Sequence, residues 1–170
     1  MKKILFILML GVTAGLSAQN SVKDDLALIQ DIYGKSKKQV VTEYLQLSGT
    51  QATAFQEIYD AYETGRKELG QKKIQIIEDY AANYESLNDE KAAELTEANL
   101  KNGQEFDKLL AKTFSKAKKA IGGKNAAKFV QLEQYLQTTI RGELQNSIPF
   151  IDELEKTKTI KPTTTALQKG

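Results

Sequence analysis

Cysteine, histidine and tryptophan are absent from this chain, and proline occurs only 2 times in 170 residues. Each absence closes off a class of chemistry. Without cysteine there is no disulfide, no thiol nucleophile, no zinc–thiolate centre and no lipid-modified cysteine at the N-terminus. Without histidine the commonest metal ligand and general base are missing. Hydrolase triads, zincins and histidine-dependent acid–base enzymes are therefore excluded in their usual forms. No proline precedes Pro149, so nothing of that kind interrupts a long helix before it. An excess of charge of one sign is missing too, with Lys and Arg totalling 24 against 22 Asp and Glu.

What is there begins with an export signal. Lys2 and Lys3 form a positive start, Ile4 to Leu10 an apolar run, and Leu16-Ser17-Ala18 a cleavage site. The apolar run is well short of the ~20 residues that a membrane span needs. Residues 1–18 are thus expected to be removed, leaving a chain that starts at Gln19 in the periplasm. Leu16 is larger than the −3 position prefers, and cleavage after Ser17 would place Gly15 there instead. Loss of Lys2 and Lys3 takes the basic count from 24 to 22, equal to the acidic count, so the exported chain is neutral and no nucleic-acid partner is expected.

Almost everything from Ser21 to Ile148 reads as helix, and the fold class is all-α. A first stretch carries Val22, Leu26, Ile29, Ile32 and Tyr33 and is broken at Gly34; a short second piece carries Val40, Val41, Tyr44 and Leu45. A long helix from Ser48 to about Tyr84 has Phe55, Ile58, Tyr59, Tyr62, Leu69, Ile76, Ile77 and Tyr80 at three- and four-residue steps. Asn88 caps the next, which runs to about Ala120, with Asp89 and Glu90 suited to its positive end. Gly122-Gly123 breaks the pattern, and a last helix from Lys124 to Ser147 carries Phe129, Leu132, Tyr135, Leu136, Ile140 and Leu144. Pro149 ends it. The helical domain spans 19–151, and the Lys- and Thr-containing stretch 152–170 reads as a flexible tail.

Two helix starts look alike. Leu47-Ser48-Gly49-Thr50-Gln51-Ala52-Thr53-Ala54-Phe55 is echoed by Ile121-Gly122-Gly123-Lys124-Asn125-Ala126-Ala127-Lys128-Phe129. In the first, Ser48 and Gln51 have the spacing of a capping box, each side chain reaching the other's backbone N–H. If the turn after the first long helix lies near Ser86-Leu87, level residues on the two antiparallel helices sum to about 173, which pairs Gly70 with Gly103 and suggests close backbone approach or a shared bend. Arg66 and Lys73 interrupt the apolar stripe and read as snorkelling from a half-buried face. Acidic residues gather at 85–97 and Lys108, Lys112, Lys116, Lys118 and Lys119 at the other end of the same helix, where dipole complementarity on a solvated face competes with a basic surface beside Phe114. No calcium-loop spacing and no facing carboxylate pair is evident. No enzymatic activity and no cofactor or metal is expected.

The Leu47-Ser48-x-x-Gln51 start, followed by Phe55-Gln56-Glu57-Ile58-Tyr59, resembles the Leu-Thr-x-x-Gln motif of the Spy/CpxP family of small periplasmic helical proteins, with Ser48 in place of Thr. The second copy departs, with Gly122 for Thr and Asn125 for Gln. Phe129-Val130-Gln131-Leu132-Glu133 and Ile148-Pro149-Phe150-Ile151 resemble versions from Bacteroidetes-type bacteria. The resemblance covers about 45–151. It implies long antiparallel helices forming a thin curved hairpin or cradle, a homodimer, and ATP-independent shielding of non-native envelope proteins under stress. Its zinc-binding branch relies on His-rich segments, which this chain lacks. Client binding by a concave basic and apolar face would fall here on Arg66, Lys73, Phe106 and Phe114. The alternative that the same resemblance leaves open is a periplasmic regulator with one partner, a sensor kinase or a component of an extracytoplasmic sigma-factor pathway.

Overall fold

The computed structural model describes residues 34–151. The export signal, the helical stretch read before Gly34 and the tail 152–170 lie outside the described residues. Three helices make up the described chain: α1 (Lys37–Leu45), α2 (Gly49–Asn83) and α3 (Asp89–Ser147), with a short 3-10 turn, Tyr84–Ser86, between the last two. No strand occurs among the described residues.

Local chemistry sets the helix ends. The capping box lies at the start of α1: Ser36 Oγ accepts from the Gln39 N–H at 3.3 Å, and the Ser36 N–H donates to Gln39 Oε1 at 2.9 Å. At the start of α2, Ser48 occupies the cap position but its side chain makes no capping hydrogen bond. The box expected between Ser48 and Gln51 therefore does not form. The reason is Gly49, whose φ of +57° opens the helix with a left-handed residue and sets the first-turn N–H groups out of line with the Ser48 hydroxyl. Asn88 caps α3 as expected, accepting from the Lys91 N–H at 2.9 Å, with Asp89 and Glu90 in the first turn. At the far terminus Ile148 is extended ahead of Pro149.

α3 spans 59 residues, but Gly122 inside it has φ 80° and ψ 160°, which no helix contains. The chain folds back there. Phe106 and Leu110 line the same cleft as Gln134 and Thr138; on a straight helix, residues 28 apart would be separated by about 42 Å. The first arm (89–121) and second arm (123–147) are thus an antiparallel pair. The first arm also runs antiparallel to α2, since Asp79 meets Lys91, Leu69 meets Asn102 and Gly65 meets Leu109. These pairs sum to 170, 171 and 174, close to the expected register. The close approach is at Gly65, where an added Cβ would lie 3.2 Å from Leu109; at Gly103 it would meet nothing within 4 Å.

The second arm packs on α2 as well, through Phe129 against Phe55, Tyr59 and Tyr62 at centroid distances of 5.2, 6.2 and 5.5 Å. Each of the three long segments thus touches the other two, and together they enclose a core. At one end α1 lies across the bundle, and its Val41 and Leu45 join Phe55, Tyr59, Tyr62, Ala117, Ile121, Ala126 and Phe129 in one buried cluster. The edge-to-face rings around Phe129 are the favoured aromatic geometry.

Candidate functional site

Charge goes inside at one level of this bundle. Lys37, the first residue of α1, is 1% exposed; its Nζ donates to Glu63 Oε1 of α2 at 2.6 Å and to Glu133 Oε2 of the second arm at 2.8 Å. Arg66, also 1% exposed, donates from Nε to the same Glu63 oxygen at 2.9 Å. The Tyr62 hydroxyl donates to Glu133 Oε2 at 2.8 Å, and Lys37 Nζ stands 5.3 Å from the Tyr62 ring centre. Two cations and two carboxylates thus balance within three helical segments. Burial, the largest influence, pulls the Glu63 carboxyl upward, but the Lys37 and Arg66 charges and their hydrogen bonds outweigh it and hold it below its ordinary value. Burial and then the Glu133 charge push the Tyr62 hydroxyl well above the usual phenol range, so it stays a neutral donor. Glu133 is wholly enclosed, and its Oε1 has no hydrogen-bond partner among the described residues. A cluster so sealed from solvent has no room for a substrate. Its role is to fix α1 onto the bundle, with a large penalty for removing any one partner.

The sequence-predicted residues do not meet on one surface. Arg66 is turned inward, because the stripe it interrupts is the core stripe and Glu63 supplies its counter-charge one turn away; it is not placed to touch a client. Lys73 is half-buried and donates across the bundle to the Asn99 side-chain oxygen. Desolvation, and then the nearby Arg141 charge, lower its pKa. Phe106 is half-buried and lines the cleft between the two arms of α3. Phe114, the remaining client-binding candidate, is half-buried and packs against the buried cluster. The five lysines from Lys108 to Lys119 stay exposed, with Lys108 paired to Glu105 at 2.9 Å.

Two surface features have the concavity of a binding site. The first is an apolar cleft of about 240 Å³ at the end of the bundle opposite α1. Ile76, Ile77 and Tyr80 of α2, Leu95 of the first arm, and Ile148 and Phe150 beyond the second line it, with Lys73 and Asn99 at its edge. The Tyr80 hydroxyl donates to the Pro149 carbonyl at 2.9 Å and that of Tyr84 to the Phe150 carbonyl at 2.8 Å, which fastens the segment after α3 against α2. Even so, Phe150 and Ile151 are 47% and 54% exposed, and Leu100 on the first arm is 61% exposed. The second feature is the cleft between the arms of α3, about 310 Å³ in volume and more polar. Among the described residues no group of three or more acidic side chains is placed to hold a metal ion.

Sequence reasoning missed Lys37, Glu63 and Glu133 because charged residues read as surface. The signal was present in Glu133, which stands four residues after Phe129 and three before Leu136, on the buried stripe itself. Comparison with protein-family models, with curated proteins and with solved structures finds no match to this chain.

Proposed function

We propose that this chain is an exported, ATP-independent chaperone-like protein that holds apolar segments of non-native envelope proteins. The observation that carries the reading is the apolar cleft formed by Ile76, Ile77, Tyr80, Leu95 and Ile148, open beside the exposed Phe150 and Ile151. Isolated apolar residues on a surface need no explanation, but a contiguous concave group of them marks a binding surface. Lys73 at its edge adds a charge to an apolar site, a combination suited to many partners of modest affinity. The motif resemblance around Ser48 and the export signal at 1–18 support the same reading, including a periplasmic location and a homodimer. Of the four positions assigned to clients from sequence, Lys73 alone borders this cleft; Phe106 belongs to the other one.

The test is suppression of aggregation of two unrelated unfolding proteins by the mature chain, without nucleotide, at near-stoichiometric ratios. Protection of both clients is expected, reduced by Ile77→Ser and Phe150→Ser in variants whose melts match the parent. Failure of a folded chain to protect either client, together with saturable binding to one envelope signalling protein, would replace this reading with that of a regulator.

A further inference from the structure

The groove that holds α1 continues beyond it. Lys37 and Lys38 pair with Glu63 and Asp60 of α2, while Lys37 pairs also with Glu133 of the second arm and the Tyr44 ring lies against Lys128. These positions sum to 100 and 98 with α2 and to 170 and 172 with the second arm, so α1 runs antiparallel to both. Its N-terminus therefore points towards the open end. There the same two segments line the apolar cleft, through Lys73, Ile76, Ile77 and Tyr80 of α2 and through Gln145 and Ile148 at the end of the second arm. Residues 21–33, which precede α1, lie outside the described residues, but the place they must lead to is set. Gly34, at a φ of +63°, and the extended Ser36 connect them to the buried Lys37. Tyr33 is thus held within about 14 Å of Lys37.

The sequence ahead of Gly34 fits this groove in length, face and charge. Val22, Leu26, Ile29 and Tyr33 recur at steps of four, three and four residues, one apolar face of a helix. As helix, Val22 to Gly34 spans about 18 Å, and the distance along α2 from Glu63 to Ile76 is about 20 Å. Carrying the register of α1 onwards sets Leu26 level with Ile74 and Gln145, and Val22 level with Glu78 and Pro149, within the stretch that lines the cleft. The Arg141 charge acts on Lys73, whose own bond goes to the neutral Asn99, and no carboxylate among the described residues forms an ion pair with either. Residues 21–33 bring three Asp against one Lys, and Asp25, at the border of the apolar face, falls beside the level of Lys73.

We propose that residues 21–33 dock as a helix in this groove, their apolar face on Ile76, Ile77 and Ile148, and that a client enters the cleft by displacing them. The docking stands independently of function; the displacement alone rests on the client-binding reading. Because Gly34 separates the segment from α1, it can leave the groove while Lys37 keeps its two carboxylates.

The chain has no cysteine, so Ser21→Cys in the mature protein carries a single nitroxide label at a defined place. Broadening of the Ile76, Ile77 and Ile148 methyl signals is expected, with Ile121 at the closed end untouched. Label-bearing chains mixed with isotopically enriched, unlabelled chains should give no broadening. Broadening in that mixture would assign the groove to a second copy and overturn the proposal, as would its absence from the labelled chain itself. Leu26→Asp combined with Ile29→Asp should abolish the broadening without shifting the Val41 and Phe129 signals, and Asp25→Lys should reduce it. The double variant should also bind reduced, carboxymethylated α-lactalbumin, a permanently unfolded probe, roughly tenfold more tightly, the factor expected when about one parent chain in ten stands open. Equal affinity would overturn the displacement. Broadening with no binding of the probe and no protection of clients by either chain would uphold the docking and overturn the client-binding reading; protection without broadening would do the reverse.

Discussion

The same three helical segments run through both ends of the bundle, yet the ends differ in what covers them. At one end α1 lies across α2 and the second arm of α3, its Val41 and Leu45 seal the aromatic group around Phe129, and its Lys37 reaches two carboxylates. At the other end the apolar residues Ile76, Ile77, Leu95 and Ile148 face a cleft, and among the described residues only the short segment after α3 closes over part of it. The comparison teaches that a three-helix bundle of this length does not bury its own stripe completely. A fourth element finishes the core where it docks, and where none of the described residues docks, apolar surface is left for another molecule.

Substitutions should separate the two ends. Phe129→Ala at the closed end should cost about 3–5 kcal/mol in urea melts, since the ring is wholly enclosed by three other aromatic rings. Phe150→Ala at the open end should stay within about 0.5 kcal/mol. Similar losses at both would mean that the ends are equally packed.

Lys37→Met is expected to cost about 3–5 kcal/mol, because it leaves Glu63 and Glu133 buried without their shared cation. The cluster also gives the closed end a pH dependence. Glu63 titrates lower in the folded chain than in the unfolded chain, so its contribution is complete above its ordinary value of 4.5 and is lost as pH falls through the folded value. Chemical shifts of α1 residues should therefore depart on acidification below about 4.5 before those of Leu95 and Ile148 do. In Lys37→Met that acid sensitivity should diminish; an unchanged profile would mean that other carboxylates govern it.

Much of this was legible from the residues. The helix limits at Ser48, Asn88, the Gly122-Gly123 break and Pro149 followed from caps and breakers, and the antiparallel register followed from the position of one turn. What was not legible depended on partners distant in sequence. Arg66 interrupts an apolar stripe, and nothing local distinguishes a snorkelling arginine from one neutralised inside by Glu63 in a cluster completed from two other elements. The Ser48 cap failed for a different reason: the spacing of Ser and Gln was right, but the positive φ of Gly49 removed the geometry that the spacing presumes.

The caps allow a finer test. Ser36→Ala should cost about 0.5–2 kcal/mol, loosening α1 and with it the closed end, whereas Ser48→Ala should cost a few tenths. Smaller still is the contrast between two glycines. Gly103→Ala adds a methyl to open space and should stabilise by about 0.5–1 kcal/mol through helix propensity. At Gly65 the Leu109 methyl groups 3.2 and 3.3 Å from the new Cβ must move, so the gain there should be smaller or reversed. Equal gains would show that α2 and the first arm are less closely pressed together than this geometry requires.

The fold-back at Gly122 has a topological consequence. One residue at a φ of 80° separates the observed arrangement from a continuous helix of 59 residues, which would be a rod of about 88 Å. Any residue with a Cβ resists that φ and favours the helical values that straighten the chain. A straightened α3 carries its second arm away from its own α2, and the Phe129 face then finds its Phe55, Tyr59 and Tyr62 partners on another molecule. Gly122→Ala should thus turn this fold towards exchange of its C-terminal arm between copies, with the native contacts of that arm remade in the partner.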